Sequence, residues 1–221
     1  MSQLAGKTIF LTGATGFIGK RVLAALSRQG ANVRAGSRSA AGKSWLKQQG
    51  VAPVDVNFRD SQNLRRAMAG CEGVIHLAYD IRASGADNLS VFRTLLDAAR
   101  AEDIPGMVHA SSVVVYDGWP SADISETSPI TLSGSGYRRA KIEMENIAMA
   151  QDLPVAIVQP TLVYGPGSSL WTTRFAKALM QGSQLPLLGE MISLNAMKLR
   201  SLFMGYLVIG QRKPLRHRGI I

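Results

Sequence analysis

The 221-residue sequence has one cysteine, Cys71, which excludes an internal disulfide framework and any cysteine-built zinc site. Its three histidines, His76, His109 and His217, show no metal-ligand spacing, so no metal site is expected. A lone thiol suits a reducing, cytoplasmic setting. No apolar run precedes the first predicted strand, so the start "MSQLAGKTIF" does not read as a signal peptide. The apolar stretch "LFMGYLVIG" (202–210) is about half the length that spans a bilayer and reads as a buried strand or helix, so no membrane partner is expected. Acids are scarce, 15 against 25 basic residues, for a formal charge of +10. Six of those bases and none of the acids lie in residues 191–221, so most of the imbalance belongs to the tail. A nucleic-acid partner would require a basic structured face, with interleaved aromatics where single strands bind, and neither is present.

What is present is an ordinary globular composition, 46% hydrophobic and 18% charged, in a chain long enough for one domain with a substantial core. Short β-branched or apolar runs alternate with longer segments of helical period. The pattern predicts strands at 7–12, 32–37, 51–56, 73–78, 106–111 and 155–160. Helices are predicted at about 17–29, 41–49, 61–69, 86–102 and 136–151, with another near 169–181. Such alternation is that of a parallel α/β sheet covered by helices on both faces. No repeat or internal linker divides it.

The first strand runs into "TGATGFIG", with glycines at 13, 16 and 19 before an amphipathic helix. Gly13 permits a sharp strand exit, Gly16 lets backbone approach a pyrophosphate, and Gly19 lets the helix sit close to the sheet. The helix N-terminus adds free N–H groups and a positive dipole end. This motif resembles the cofactor turn of the extended and atypical short-chain dehydrogenases/reductases, the NAD-dependent epimerase/dehydratase family. The likeness runs from residue 7 to 167 and implies a Rossmann-type, doubly wound parallel sheet. Thr15, Phe17 and Ile18 complete the expected cofactor turn. The second strand ends in Ser37 and Arg38, where NAD-type relatives carry an acid, so NADP(H) is favoured over NAD(H).

The resemblance implies further roles. Asp55, after strand three, contacts the adenine, and Leu77 and Ala78 of "HLAY" wall the cofactor, with Tyr79 replacing a usual small residue. Pro160, Thr161 and Val163 lie beside the nicotinamide, and Gln159 replaces a usual Arg, which removes a charge-assisted anchor from that wall. His76 reads as a core residue and Asn88 as a structural one. Within "YRRAK", Tyr137 and Lys141 stand four apart and therefore share a helix face. By resemblance they are the catalytic pair, with Ser112 of "SSVVVY" as third member and Lys141 also holding the nicotinamide ribose. Phenol is a poor base near neutral pH, so the chemistry needs a nearby cation.

After "LPLLGE" the chain loses its periodicity and its acids. Intact relatives continue for roughly 80 to 150 more residues as a small substrate domain. The expected division is therefore an NAD(P)-binding domain at 1–190 and, at 191–221, an irregular basic tail, the remnant of a substrate-binding region in a truncated or frame-shifted chain. The expected activity is hydride transfer between NADP(H) and a small-molecule carbonyl, alcohol or sugar through Ser112, Tyr137 and Lys141. The alternative is a non-catalytic dinucleotide-binding module. The resemblance also allows a homodimer.

Overall fold

The computed structural model describes residues 2–119, 123–174, 177, 180 and 181, and the backbone of 217–220. Five α-helices alternate with the strands: α1 Phe17–Arg28, α2 Ala40–Gln48, α3 Ser61–Met68, α4 Gly85–Ala101 and α5 Gly136–Met149. The strands are β1 Thr8–Thr12, β2 Asn32–Gly36, β3 Pro53–Val54, β4 Gly73–His76, β5 Met107–Ala110, β6 Val155–Gln159 and β7 His217–Ile220. They form one parallel sheet in the order β3-β2-β1-β4-β5-β6-β7. From β1 the chain proceeds outward to β2 and β3, then returns to place β4 on the other side of β1. The carboxyl ends of β1 and β4 thus border the crevice where strand order reverses, the usual ligand position in such sheets.

Strand alternation divides the core in two. Phe10, Val74, Met107 and Ile157 face α3, α4 and α5, where they meet Leu64, Phe92, Leu95 and Met144. Their neighbours Ile9, Leu11, Ile75, Val108 and Val158 face α1 and α2, against Leu23, Leu26 and Leu46. Both sheet faces are covered, as the apolar runs predict.

Several boundaries differ from the sequence expectation, each with a local cause. Strand three shrinks to Pro53–Val54 because it is the sheet edge and Pro53 has no N–H to donate. Strand four stops at His76 because the next two N–H groups, of Leu77 and Ala78, go to the Thr12 hydroxyl at 3.2 Å each instead of to a ladder. The helix expected near 169–181 opens as a π-helical turn, Ser169–Thr173. The expected tail lies mostly outside the described residues. Within it, His217–Ile220 pairs with β6, from Ala156↔His217 to Gln159↔Ile220.

Under the sheet, His76 and His109 sit on adjacent strands with rings stacked at 5.4 Å, and the Phe92 ring lies 4.5 Å from His109. Both histidines are buried. Thr12 Oγ1 lies 2.8 Å from His76 Nδ1. Its lone pairs are taken by the two backbone donors, so the hydroxyl donates to Nδ1 and the ring proton rests on Nε2. Neither ring nitrogen of His109 has a partner among the described residues. Burial, reinforced by Lys141, brings His76 down to about 3 and lowers His109 well below 6.5. Neutral rings are therefore favoured in the fold, and the unfolded chain binds their protons first as pH drops. Stability is complete above about 6.5 and is lost below it, at up to about 1.4 kcal/mol per pH unit for each ring. The urea midpoint is expected to drop between about pH 7.5 and about pH 5, and His109→Phe to shrink that drop. Parallel curves for the two proteins would exclude His109 as a source.

Candidate functional site

The turn after β1 is built around missing side chains. Gly13 has φ +71°, and a Cβ there would lie 2.9 Å from the Ala78 amide nitrogen. A Cβ on Gly19 would fall 1.9 Å from the Gly13 carbonyl oxygen. Any larger residue at either position would push α1 off β1 or β1 off the end of β4. The helices α2, α3, α4 and α5 each begin with a side chain accepting from their first turn: Ser39, Asp60, Ser84 and Ser135. Helix α1 begins at Gly16 with no side-chain cap and no acid in its first turn. Its leading N–H groups and dipole are thus left for an anion.

A cleft of about 830 Å³ opens there. Gly13, Thr15 and Gly16 line one wall, Ser37 and Arg38 another, and Leu77, Ala78 and Tyr79 a third. This arrangement fits a dinucleotide: close backbone, an uncapped helix and a cation at the far end. The Arg38 guanidinium reaches across the mouth to Asp80 at 3.1 Å, and Arg82 approaches the same carboxylate at 3.8 Å. Phe17, Ile18 and Gly19 belong to the first turn of α1 behind that lining, where the Arg21 guanidinium stacks 4.0 Å from the Phe17 ring. Pro160, Thr161 and Val163 follow β6 and are not among the cleft-lining residues. Asp55 is not brought to the cleft either. Val54, Val56 and Phe58 pack on the core, whereas the Asp55 side chain is exposed. There it pairs with Lys43, and that hydrogen bond lowers its pKa. Its neighbours Val56 and Asn57 line the cleft instead.

The three polar residues expected to act together do converge. Ser112 ends the extended segment after β5, and its hydroxyl accepts from the Val114 amide, starting a 3-10 turn at Val113–Val115. Tyr137 stands beside Ser112, close enough for the serine side chain to favour the ionised phenol. One helical turn further, Lys141 is 4% exposed and donates to the Ala110 carbonyl at 2.7 Å. Burial raises the Tyr137 phenol above its usual value, with the Ser112 side chain opposing, and depresses Lys141 to about 7, with Glu145 opposing. The phenol is therefore protonated at neutral pH and Lys141 is close to its midpoint.

Further residues hold this arrangement, and two of them, Arg138 and Glu145, were not singled out by motif. The Arg138 side chain donates to the Val114 carbonyl at 2.8 Å and the Val115 carbonyl at 2.9 Å, and pairs with Asp117. It thereby ties the turn that Ser112 caps to the helix that carries Tyr137. Glu145, 1% exposed, accepts from Ser111 and from Gln159 Nε2 at 2.9 and 3.1 Å. Gln159 in turn accepts from the Tyr116 hydroxyl at 2.8 Å. The wall expected to lose an anchor with its arginine instead has a buried Gln159 bonded on both sides. The signal for Glu145 was available, because it stands four residues beyond Lys141 on the same helix face. Asn88 acts as read: its amide bonds the Asp80 N–H and carbonyl at 2.9 Å each, fixing the segment after β4.

Comparison with known proteins gives one coherent answer. The sequence profile of the NAD dependent epimerase/dehydratase family matches residues 9–199. The chain is 29% identical over 181 residues to a 4-hydroxy-2-methyl-3-oxo-4-farnesyl-3,4-dihydroquinoline-1-oxide ketoreductase of Stigmatella aurantiaca, covering 77% of this chain and 54% of that one. It is 36% identical over 111 residues to a decarboxylating sterol-4-alpha-carboxylate 3-dehydrogenase of Dictyostelium discoideum, covering 50% of this chain and 34% of that protein. The chain thus spans about half, or less, of the length of these relatives. Among solved structures, an epimerase from Methanothermobacter thermautotrophicus superposes with a TM-score of 0.76 at 19% identity, over 99% of this chain and 72% of that one, a likeness of fold. Among the described residues no helix is long and apolar enough to cross a membrane. With the glycine turn, the uncapped helix and the strand order in place, the chain belongs to the NAD dependent epimerase/dehydratase family, whose members bind nicotinamide dinucleotides.

Proposed function

We propose that the chain is an NADP(H)-dependent oxidoreductase that exchanges hydride with a carbonyl or alcohol, using Tyr137, Lys141 and Ser112. The observation that carries the reading is their convergence: a phenol beside a serine side chain, with a buried lysine one turn away, at the carboxyl edge beside the cleft. Bound nicotinamide would supply the hydride donor or acceptor. Gly13, Thr15, Gly16 and the leading N–H groups of α1, from Phe17 through Gly19, hold the pyrophosphate. Ser37 and Arg38 receive the ribose 2′-phosphate, and Leu77 and Ala78 wall the cofactor. Pro160, Thr161 and Val163 flank the nicotinamide.

Ser112 and Tyr137 hydrogen-bond the substrate oxygen. As that oxygen gains negative charge, Tyr137 releases its proton to it, and the Lys141 charge offsets the phenolate left behind. A phenol held protonated at neutral pH suits donation, so the reading leans to reduction of a ketone or aldehyde. The names of the two relatives, a ketoreductase and a 3-dehydrogenase, support carbonyl–alcohol exchange over sugar epimerisation.

Titration with NADPH and NADH, followed by a panel of ketones, aldehydes and nucleotide sugars, tests the reading. Turnover is expected with NADPH and a ketone or aldehyde, and Tyr137→Phe is expected to reduce it about a hundredfold or more, the usual range for a positioned proton donor. Turnover that survives this substitution would sink the mechanism, and binding without turnover would favour the non-catalytic module. For the cofactor, Arg38→Ala is expected to weaken NADPH about tenfold while changing NADH little, through loss of a charge-assisted phosphate contact. Equal weakening of both cofactors would remove Arg38 from the phosphate site.

A further inference from the structure

We propose that Tyr79 is a positioning residue for the Tyr137–Lys141 pair, its ring face carrying the Lys141 ammonium and its flank bracing the Tyr137 ring. The inference deepens the function proposed above and rests on its assignment of those two residues.

Three contacts meet on this side chain. The Tyr79 and Tyr137 rings lie 5.0 Å apart at 85°, the edge-to-face geometry that aromatic quadrupoles favour. Lys141 Nζ stands 4.7 Å from the Tyr79 ring centre, against 5.9 Å from that of Tyr137. The same ring packs on the core cluster beneath α4 and α5. Of the two rings beside the buried ammonium, Tyr79 therefore presents the nearer face.

Tyr79 is itself held in place. The next residue, Asp80, has its N–H and its carbonyl bonded to buried Asn88. A Cβ on Gly85, at the start of α4, would lie 2.7 Å from the Gly136 carbonyl oxygen, so Gly85 lets the entry of α4 abut the first turn of α5. That approach brings the segment after β4 against Tyr137. The cleft lining also reaches Tyr79 but includes none of Ser112, Tyr137 and Lys141. Tyr79 thus both lines the cleft and touches the proton-handling pair. A small side chain there would leave the ammonium only the more distant Tyr137 ring face and the Tyr137 ring without a brace. Removal of its hydroxyl should matter little, because both contacts belong to the ring.

The test reads Lys141 and Tyr137 directly, by pH titration of isotope-labelled lysine and tyrosine side chains in the full chain, without substrate. Tyr79→Phe is expected to leave both midpoints within a few tenths of a unit. Tyr79→Leu keeps apolar cover but removes the ring, and should lower the Lys141 midpoint by about one unit, the equivalent of a desolvated cation–π contact. Trifluorophenylalanine at position 79 preserves ring shape while weakening its quadrupole, so a stepwise fall from Phe to the fluorinated ring is expected even if the Leu variant folds poorly. The proposal is overturned if the fluorinated ring matches Phe, or if Phe shifts the midpoints as far as Leu. A parallel NADPH titration separates this from the assignment of function: failure of the unsubstituted chain to bind NADPH would defeat the cofactor reading, while the midpoints still decide the role of Tyr79.

Discussion

The site depends first on one hydroxyl. Thr12 ends β1 and accepts the N–H groups of Leu77 and Ala78 while donating to His76, so a single side chain ties the end of β1 to the end of β4. These are the two strands from which the chain departs in opposite directions, and each loses its ladder partners there. Without that oxygen, two backbone donors and a buried imidazole would lose their partner at once, each at a cost of about 1–3 kcal/mol. The knot also sets the distance between the Gly13 turn and Ala78, which is so short that a methyl group would not fit. Cradle and cofactor wall are therefore one construction, closed at its base by Thr12.

Helix α5 carries the second half of the site as a gradient of burial. Tyr137 is 39% exposed, Lys141 4% and Glu145 1%, at successive i,i+4 positions. In the proposed mechanism the outermost group meets the substrate, the middle one offsets its phenolate, and the innermost carboxylate favours the charged lysine. Burying an ammonium and a carboxylate in one helix face is costly unless both are hydrogen-bonded, and both are: Lys141 to the Ala110 carbonyl, Glu145 to Ser111 and Gln159. Glutamine in place of arginine beside Glu145 has a physical consequence. A neutral partner leaves the carboxylate charge less compensated, so its field reaches Lys141, opposes desolvation and favours the charged lysine.

The sequence made this much legible because its local signals agreed with the global fold. Alternating runs placed six strands and five helices to within a few residues, and the glycine turn was readable because a strand preceded it and an amphipathic helix followed. What stayed hidden depends on partners distant in the chain. No motif marks Arg138 within "YRRAK", because its acceptors lie more than 20 residues away, at Val114 and Val115. Tyr79 looked like an odd substitution until the approach of α4 to α5 set it against Tyr137. Asp55, set beside the adenine by motif position, pairs with Lys43 and is not among the cleft-lining residues, a pairing that motif position does not show.

Burial also bears on the direction of the chemistry. Desolvation penalises the charged form of every group here, so it raises Tyr137 and lowers Lys141. A phenol raised in this way is a poor proton acceptor but a ready donor once a neighbouring oxygen becomes basic, and an ammonium near its midpoint can gain or lose charge at little cost. Under the proposed function, a site tuned so suits a substrate whose oxygen gains charge during reaction, as in reduction of a carbonyl. Oxidation of an alcohol would require the phenolate, and only a lysine kept charged could supply it. Whatever surrounds Lys141, the Ala110 carbonyl, Glu145 and the Tyr79 ring, therefore determines how readily the site runs in either direction.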